Sequence, residues 1–283
     1  MCSVREISCK TIIETVRRLF LEANTELGDD VLRCLNAAVS REASEIGRYG
    51  LVKIQENARI AREMSVPLCQ DTGLAVLFVE MGQDVRIIGG NFTDAIQKGV
   101  RQAYRDGYFR KSVCDPLSRR NTGDNTPAII HSEIVRGDKI KIVAMPKGGG
   151  SENMSRCFML LPAAGIEGVR AAVVESVADA GPNSCPPVIV GVGIGGSMEQ
   201  SAILAKKALL RPLGESHRND PRLQRLEREI LGEINKLGIG PHGYGGFITA
   251  LAVHIEMMPC HIASLPVAIN IQCHATRHKE AVI

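Results

Sequence analysis

The stretch PPVIVGVGIGG, residues 186–196, indicates a buried β-strand that runs into a glycine turn. Its apolar run is short, rich in β-branched residues and bounded by proline and glycine, as is typical of a strand in the middle of a sheet. Similar β-rich runs occur at residues 75–80, 85–88, 129–135 and 139–145, and helical spacing of apolar residues occurs at 93–108, 197–210 and 221–236. The sequence therefore predicts a mixed α/β fold.

The first 66 residues have helical rather than strand periodicity. Apolar residues recur at helical spacing from Ile12 to Ala23, Asp30 is a candidate N-cap for a second helix, and a third is predicted from about Leu51 to Met64. Pro67 ends it, because the residue before a proline disfavours the helical conformation. We predict one domain over residues 1–283, with a helical layer at 1–66 packed on an α/β body at 67–283.

Three further local predictions follow from the pattern. Residues 136–138, Arg-Gly-Asp, are typical of a hairpin turn between the strands at 129–135 and 139–145. A helix is predicted to begin near Met154 and to lead into the alanine- and valine-rich segment that ends near Asp179. The last 30 or so residues read mostly as strand and loop.

Composition limits the classes of partner. Lysine and arginine total 34 against 31 aspartate and glutamate residues, with no long basic run, and there is no tryptophan for base stacking. No apolar run approaches the roughly 20 residues of a membrane span, and the N-terminus lacks the apolar core of a secretory signal. We expect no nucleic acid, no membrane and a cytoplasmic location.

Nine cysteines occur without any C-x-x-C pair, so a metal site would need cysteines that are distant in sequence. Cys69 lies in PLCQDTG, Cys185 in the proline-stiffened PNSCPP, and Cys273 among polar residues in NIQCHATRH. Loop cysteines of this kind are candidate metal ligands. Cys34 and Cys157 lie in helical patterns instead and are expected to be buried thiols.

Two glycine clusters have alternative interpretations. Gly191, Gly193 and Gly196 match the order of a dinucleotide-binding fingerprint, but the polar segment after the next helix gives no second strand for its acidic residue. Close packing of strand on helix is the favoured use of these glycines. The segment KGGGSEN, residues 147–153, is either a backbone nest for a carboxylate or phosphate, or a flexible loop.

Taken in order, these motifs resemble the class I iron-sulfur fumarases and the related tartrate dehydratases. The chain is similar over its whole length to the N-terminal half, or separate alpha subunit, of that family. The resemblance rests on PLCQDTG, the RKS at 110–112, KGGGSEN, PNSCPP with the following IVGVGIGG, the GYGG at 243–246, and HIASLPVAINIQC at 261–273.

The resemblance implies that Cys69, Cys185 and Cys273 each bind one iron of a 4Fe-4S cluster, which leaves one iron open as a Lewis acid. It further implies the roles of the polar residues. Asp71 and His261 are predicted catalytic residues, and Gln70, Arg110 and the backbone near Gly149 are predicted to bind substrate. On residue type alone, each would more often be structural: an Asx-turn, a solvated arginine or a satisfied histidine.

The resemblance also implies partners and a substrate. The family's single-chain enzymes continue into a second domain, so we expect a separate beta subunit that completes the site, in an alpha2-beta2 heterotetramer. The expected substrate is a small dicarboxylate: fumarate, as in the tricarboxylic acid cycle, or L-tartrate as the alternative. An iron-sulfur electron carrier and a nucleotide-binding protein are the less favoured alternatives.

Overall fold

The computed structural model describes residues 4–215, 217 and 220–283. None of the helices in these ranges is long and apolar enough to cross a membrane. The helices are α1 (Cys9–Thr25), α2 (Asp29–Arg41), α3 (Glu45–Met64), α4 (Phe92–Asp106), α5 (Gly149–Asn153), α6 (Gly165–Ala180), α7 (Met198–Ala208) and α8 (Pro221–Lys236). The strands are β1 (Arg5–Ser8), β2 (Leu74–Gly82), β3 (Val85–Ile88), β4 (Ile129–Val135), β5 (Ile140–Lys147), β6 (Arg156–Leu160), β7 (Val188–Gly195), β8 (Ala250–Met258), β9 (Leu265–Gln272) and β10 (Lys279–Val282).

The chain forms two compact units, and each is discontinuous in sequence. The first unit contains residues 1–28, 58–149 and 277–283, and the second contains 29–57 and 150–276. Each unit has its own four-stranded sheet and its own apolar core. The mixed α/β prediction is confirmed, but the units do not divide at residues 66 and 67, because the N-terminal helices contribute to both.

The first unit contains a sheet in the order β10-β5-β2-β4. β2 pairs parallel with β4 and antiparallel with β5, so it lies between the two strands that the sequence predicted to form a hairpin. That hairpin prediction is wrong, although the turn exists. The end of β2 occupies the space between them, and a Cβ at Gly82 would lie only 2.3 Å from the carbonyl oxygen of Gly137.

Helices α1 and α4 pack together on the core of this first unit. Ser8 caps α1 by accepting a hydrogen bond from the Thr11 backbone N–H at 3.1 Å. Asn91 caps α4 in the same way through the Asp94 N–H. A Cβ at Gly99 would lie 2.8 Å from the Val16 Cβ, so glycine permits the close approach of the two helices. The two predicted helices are therefore confirmed.

The second unit is built on a sheet in the order β6-β9-β7-β8. The two faces of β7 differ because side chains alternate along a strand. Its valines and Ile194 join the core formed with α6 and α8. Its glycines face α7: a Cβ at Gly191 would lie 2.1 Å from the Ala205 carbonyl oxygen, and one at Gly193 2.0 Å from that of Ser201. The glycines serve close packing of strand on helix, as predicted.

Other predictions need correction. The helix predicted from Met154 begins only at Gly165, and the residues before it form strand β6, which pairs with β9. Helix α3 begins at Glu45, earlier than predicted, and ends at Met64 as expected. Asp30 lies inside α2 and does not cap it; its Oδ2 accepts a hydrogen bond from the Leu213 N–H at 2.8 Å.

A histidine is buried in the second unit, on β8. His254 is 2 % exposed, and its Nδ1 lies 3.2 Å from the Ala208 carbonyl oxygen. Burial, with a further contribution from the charge of Arg211, lowers the pKa of His254 to about 4, and the carboxylate of Asp30 offsets part of this. The imidazole is therefore neutral in the folded protein at neutral pH.

We expect His254 to lower the free energy of unfolding of the protein in mild acid. Its pKa is lower folded than unfolded, so its contribution to stability is present above pH 6.5 and is lost as the pH falls towards 4. The loss is about 3 kcal/mol by linkage. His254→Gln keeps a hydrogen-bond donor but does not titrate, so the thermal midpoints of variant and wild type should converge between pH 6.5 and 4. Parallel curves would contradict the assignment.

Candidate active site

The Cys69–Gly73 segment forms a tight turn just before β2. The Cys69 thiol accepts a hydrogen bond from the Asp71 N–H at 3.4 Å and donates one to the Gln70 Oε1 at 3.3 Å. The Asp71 Oδ1 accepts from the Gly73 N–H at 3.0 Å, which is an Asx-turn. One turn thus presents a thiol, an amide and a carboxylate, as the motif predicted, and Asp71 has a structural role in it as well.

The glycine loop binds the carboxylate of this same turn. β5 ends at Lys147, α5 begins at Gly149, and the Gly149 N–H donates to the Asp71 Oδ2 at 2.7 Å. Of the two interpretations of KGGGSEN, the described contact favours the backbone donor to a carboxylate. The carboxylate that it binds here is the protein's own, so the donor predicted for substrate is already in use.

Arg110 lies in the loop after α4 and is joined to the turn through its backbone. Its carbonyl oxygen accepts a hydrogen bond from the Thr72 Oγ1 at 2.8 Å, and Thr72 is 1 % exposed. The guanidinium is exposed and makes no ion pair within the described ranges. It can therefore bind an incoming carboxylate through two parallel hydrogen bonds.

A second arginine lies beneath the turn and was not found from the sequence. Arg277 is 3 % exposed, and its Nη2 donates to the Asp71 carbonyl oxygen. Its Nε and Nη1 are buried and have no hydrogen-bond partner in the described part of the chain. A buried guanidinium so close to Asp71 fixes the backbone of the turn and adds a positive charge behind it.

Cys185 and Cys273 lie at the same end of the neighbouring strands β7 and β9: Cys185 lies just before β7, and Cys273 directly follows β9. The carbonyl oxygen of Cys185 accepts from the backbone N–H of His274 at 3.3 Å and lies 2.9 Å from its Nδ1. Cys185 is exposed and has a φ of 55°, a left-handed conformation that is uncommon for a residue with a side chain. Such backbone strain is typical of functional positions. Cys185 and Cys273 therefore stay candidate ligands, and Cys185 has the unusual backbone conformation of the two.

The loop at residues 238–246 supports the Cys185 segment. The His242 N–H donates to the Pro186 carbonyl oxygen at 2.9 Å, and its ring contacts that of His274 at 4.9 Å between centroids. Burial lowers the pKa of His242. The buried carboxylate of Glu42, 1 % exposed, accepts hydrogen bonds from the N–H groups of Phe247 and Ile248 and so anchors the loop. Of these residues, Glu42, Phe247 and Ile248 lie outside all the motifs on which the resemblance rests.

His261 lies beyond the opposite end of β9 from Cys273. It is exposed in the turn between β8 and β9, and its Nδ1 accepts from the Ala263 N–H at 3.1 Å. Cys273 follows the other end of β9, which has 8 residues. A strand of that length spans roughly 26 Å. Within the second unit, the structure does not bring His261 to Cys185 or Cys273.

The donor chemistry of the candidate ligands suits an iron-sulfur cluster. Cys69, Cys185 and Cys273 form no disulfide bond with another described cysteine, and thiolates are the usual ligands of such clusters. No group of three or more His, Cys, Asp or Glu side chains in the described ranges is placed to hold one metal ion. In a cluster each cysteine binds a different iron atom. The exposed thiol of Cys185 and the polar turn at Cys69 fit that role, and Cys157, predicted to be buried, is in fact exposed.

Comparison with known proteins defines the class. The family model described as fumarate hydratase (fumerase) matches residues 13–282, and the chain belongs to this family of hydro-lyases. A Methanocaldococcus jannaschii protein, provisionally named L(+)-tartrate dehydratase subunit alpha, is 46% identical over 272 residues, covering 94% of this chain and 95% of that one. The L(+)-tartrate dehydratase subunit alpha of Escherichia coli is 32% identical over 279 residues, covering 97% and 91%, and that of Shigella sonnei matches to the same extent.

Proposed function

We propose that this chain is the alpha subunit of a hydro-lyase that reversibly adds water to fumarate to give (S)-malate. The observation that carries the proposal is the turn at Cys69–Gly73, which combines a thiol, an amide and a carboxylate and is hydrogen-bonded to the Arg110 segment. Hydration next to a carboxylate needs a group that binds the carboxylate and a group that moves a proton. Arg110 and Asp71 are those groups in this proposal.

The proposed cofactor is a 4Fe-4S cluster held by Cys69, Cys185 and Cys273. When bound, it supplies a Lewis-acidic iron without a protein ligand, to which a substrate oxygen can bind. The proposal is supported by the thiolate chemistry of three cysteines that form no described disulfide, by the position of Cys185 and Cys273 at the same end of neighbouring strands, and by the strained backbone of Cys185. The loop anchored by Glu42 would keep Cys185 in place.

The proposed roles of the other residues follow from their positions. The exposed guanidinium of Arg110 binds one substrate carboxylate through two parallel hydrogen bonds. Gln70, exposed beside Cys69, donates from its amide to a carboxylate oxygen, and the Gly149 N–H adds a backbone donor once Asp71 releases it. Asp71 then carries the proton to or from the substrate at its carboxylate oxygen.

A catalytic role for His261 is compatible with the structure only in a larger assembly. His261 and Cys273 of one chain lie at opposite ends of β9, so we propose that His261 acts at the site of a second copy. We then expect mixed assemblies of His261→Asn and Asp71→Asn chains to recover activity that neither variant has alone, because one site in the mixture keeps both residues. Mixtures no more active than the separate variants would contradict this.

The proposed assembly is an alpha2-beta2 heterotetramer in the cytoplasm, and the alpha subunit alone is expected to be nearly inactive. The name of the relatives, subunit alpha, supports a beta partner. Full hydratase activity of cluster-loaded alpha chain without a partner would overturn the two-subunit proposal. Sedimentation of the purified pair measures the assembly itself.

L-tartrate is the second candidate substrate, because the relatives at 46% and 32% identity are named for tartrate dehydration. The deciding experiment assays the anaerobically reconstituted alpha-beta pair with fumarate, (S)-malate and L-tartrate. Faster turnover of tartrate would reverse our order of preference. If neither substrate turns over or perturbs the visible spectrum of the cluster, the hydro-lyase proposal fails. A reversible redox signal without any substrate effect would then indicate an electron carrier.

A further inference from the structure

A buried asparagine joins the two segments of the first unit that carry the proposed substrate groups. Asn125 is 0 % exposed and has a φ of 63°, in the left-handed region that asparagine tolerates better than most residues. Its Oδ1 accepts hydrogen bonds from the N–H groups of Ser112, at 2.6 Å, and Val113, at 3.3 Å. Its Nδ2 donates to the Gly73 carbonyl oxygen at 3.2 Å. One amide thus connects the Arg110 segment with the Cys69–Gly73 turn.

Two further side chains hold the same turn. The Thr72 hydroxyl donates to the Arg110 carbonyl oxygen, and the buried hydroxyl of Tyr104 lies 2.7 Å from the Thr72 carbonyl oxygen. Burial raises the pKa of Tyr104, so its hydroxyl remains protonated and donates. Asn125 differs from Thr72 and Tyr104 because one side-chain amide bonds two segments at once. Its oxygen accepts from the Arg110 segment, and its nitrogen donates to the Cys69–Gly73 turn. No other residue type of this size offers both groups while tolerating a positive φ.

We infer that Asn125 is a positioning residue that fixes Arg110 relative to Asp71. The inference deepens the proposed function and rests on it for the roles of those two residues. Arg110 would hold the substrate by a carboxylate while Asp71 moves a proton at a nearby carbon. The placement of Arg110 relative to Asp71 therefore decides whether a bound substrate lies in a position from which it can react. Asn125 itself is buried and does not touch the substrate.

Asn125→Asp is the sharpest test, because aspartate has the same shape and also tolerates a positive φ. It keeps the acceptor for Ser112 and Val113 but puts a carboxylate oxygen against the Gly73 carbonyl oxygen, which severs the link to the turn. We expect kcat per assembled cluster to fall about 10- to 100-fold in the alpha-beta enzyme, with KM changed less than about threefold. Binding through Arg110 survives, while alignment is lost.

The matched control is Asn121→Asp, in the same loop. Asn121 is exposed, and its Nδ2 donates to the Lys111 carbonyl oxygen at 2.9 Å, without any bond to the turn at Cys69. This control should keep wild-type kcat. A merely structural role for Asn125 predicts instead a lower thermal midpoint and less bound iron, with normal kcat per cluster, and that result would overturn the inference.

Thr72→Val gives a second variant in case Asn125→Asp folds poorly. It removes the other side-chain link between the same two segments and keeps the shape of the side chain. If the Thr72 and Asn125 hydrogen bonds both align Arg110 with Asp71, the losses of kcat in the double variant Asn125→Asp/Thr72→Val should not be additive. Fully additive losses would count against a shared role.

Amide hydrogen exchange in the full protein tests the link without any substrate. In Asn125→Asp, the peptides covering residues 110–113 and 69–73 should both exchange faster than in Asn121→Asp. If the wild-type enzyme neither hydrates fumarate nor dehydrates L-tartrate, the proposed function fails while the exchange result still decides whether Asn125 joins the two segments. If exchange is unchanged in both peptides, Asn125 does not join the segments and the inference fails.

Discussion

Replacement of Cys185 by serine is expected to abolish the bound iron and sulfide and to lower hydratase activity at least about 100-fold. Changes in the groups around metal ligands alone cost ten- to a hundredfold, and loss of a ligand removes more. Serine keeps the size of the side chain at the strained position, where φ is 55°, but its hydroxyl is a poor ligand for iron in a cluster. Iron and sulfide analysis of the anaerobically reconstituted variant measures the effect directly.

Cys157→Ser is the matched control for this experiment. Cys157 is an exposed free cysteine of the same unit, on β6, and its thiol lies 3.9 Å from the Ser201 hydroxyl. The control should keep the full complement of iron and sulfide. Wild-type iron content in Cys185→Ser would show that the ligand was wrongly chosen, whatever the activity of the variant.

Asp71→Asn is expected to lower kcat by about 10²- to 10⁴-fold while the cluster remains bound. Asparagine keeps the acceptor oxygen that closes the Asx-turn onto the Gly73 N–H, but it cannot carry the proton. The cluster is expected to stay because the bonds that hold this turn use the backbone of residue 71: its N–H donates to the Cys69 sulfur, and its carbonyl oxygen accepts from the buried Arg277. Steady-state kinetics normalised to iron content give the value.

The control for this variant is Asp115→Asn in the same unit. The Asp115 Oδ1 also accepts backbone hydrogen bonds, from the N–H groups of Leu117 at 3.1 Å and Ser118 at 2.7 Å, but its loop is exposed. Normal activity is expected there. If Asp71→Asn and Asp115→Asn both keep kcat within about threefold of wild type, Asp71 only forms a turn and the proton is carried elsewhere.

Local sequence pattern predicted the elements whose signal is local. The alternating or continuous apolar runs of β2, β4, β5 and β7 and the capped helices α1 and α4 were predicted close to their bounds. β6 was missed because its residues continue smoothly into a helical pattern. The partner of a strand is not a local property: β2 enters between β4 and β5, and nothing in residues 129–147 indicates this.

The candidate site likewise contains some residues with a local sequence signal and others whose roles depend on tertiary contacts. Cys69 and Asp71 lie in a loop whose polar composition marks them, whereas Arg110 was predicted only from the family resemblance. Arg277 and Asn125 act through contacts with residues 206 and 52 positions away, respectively, and nothing in their own surroundings sets them apart. Such roles depend on tertiary structure, which only the fold supplies.

The hydrogen bond between the Gly149 N–H and the Asp71 carboxylate implies that the protein's own side chain competes with a substrate carboxylate for this donor. A substrate carboxylate that binds this N–H must displace the Asp71 side chain, which is held nearby at a high effective concentration. The apparent affinity for the substrate is therefore weaker than its contacts with the site alone would give. Displacement also frees Asp71 at the moment the substrate arrives. The protein would thus keep its proton carrier engaged with its own backbone until a dicarboxylate takes its place.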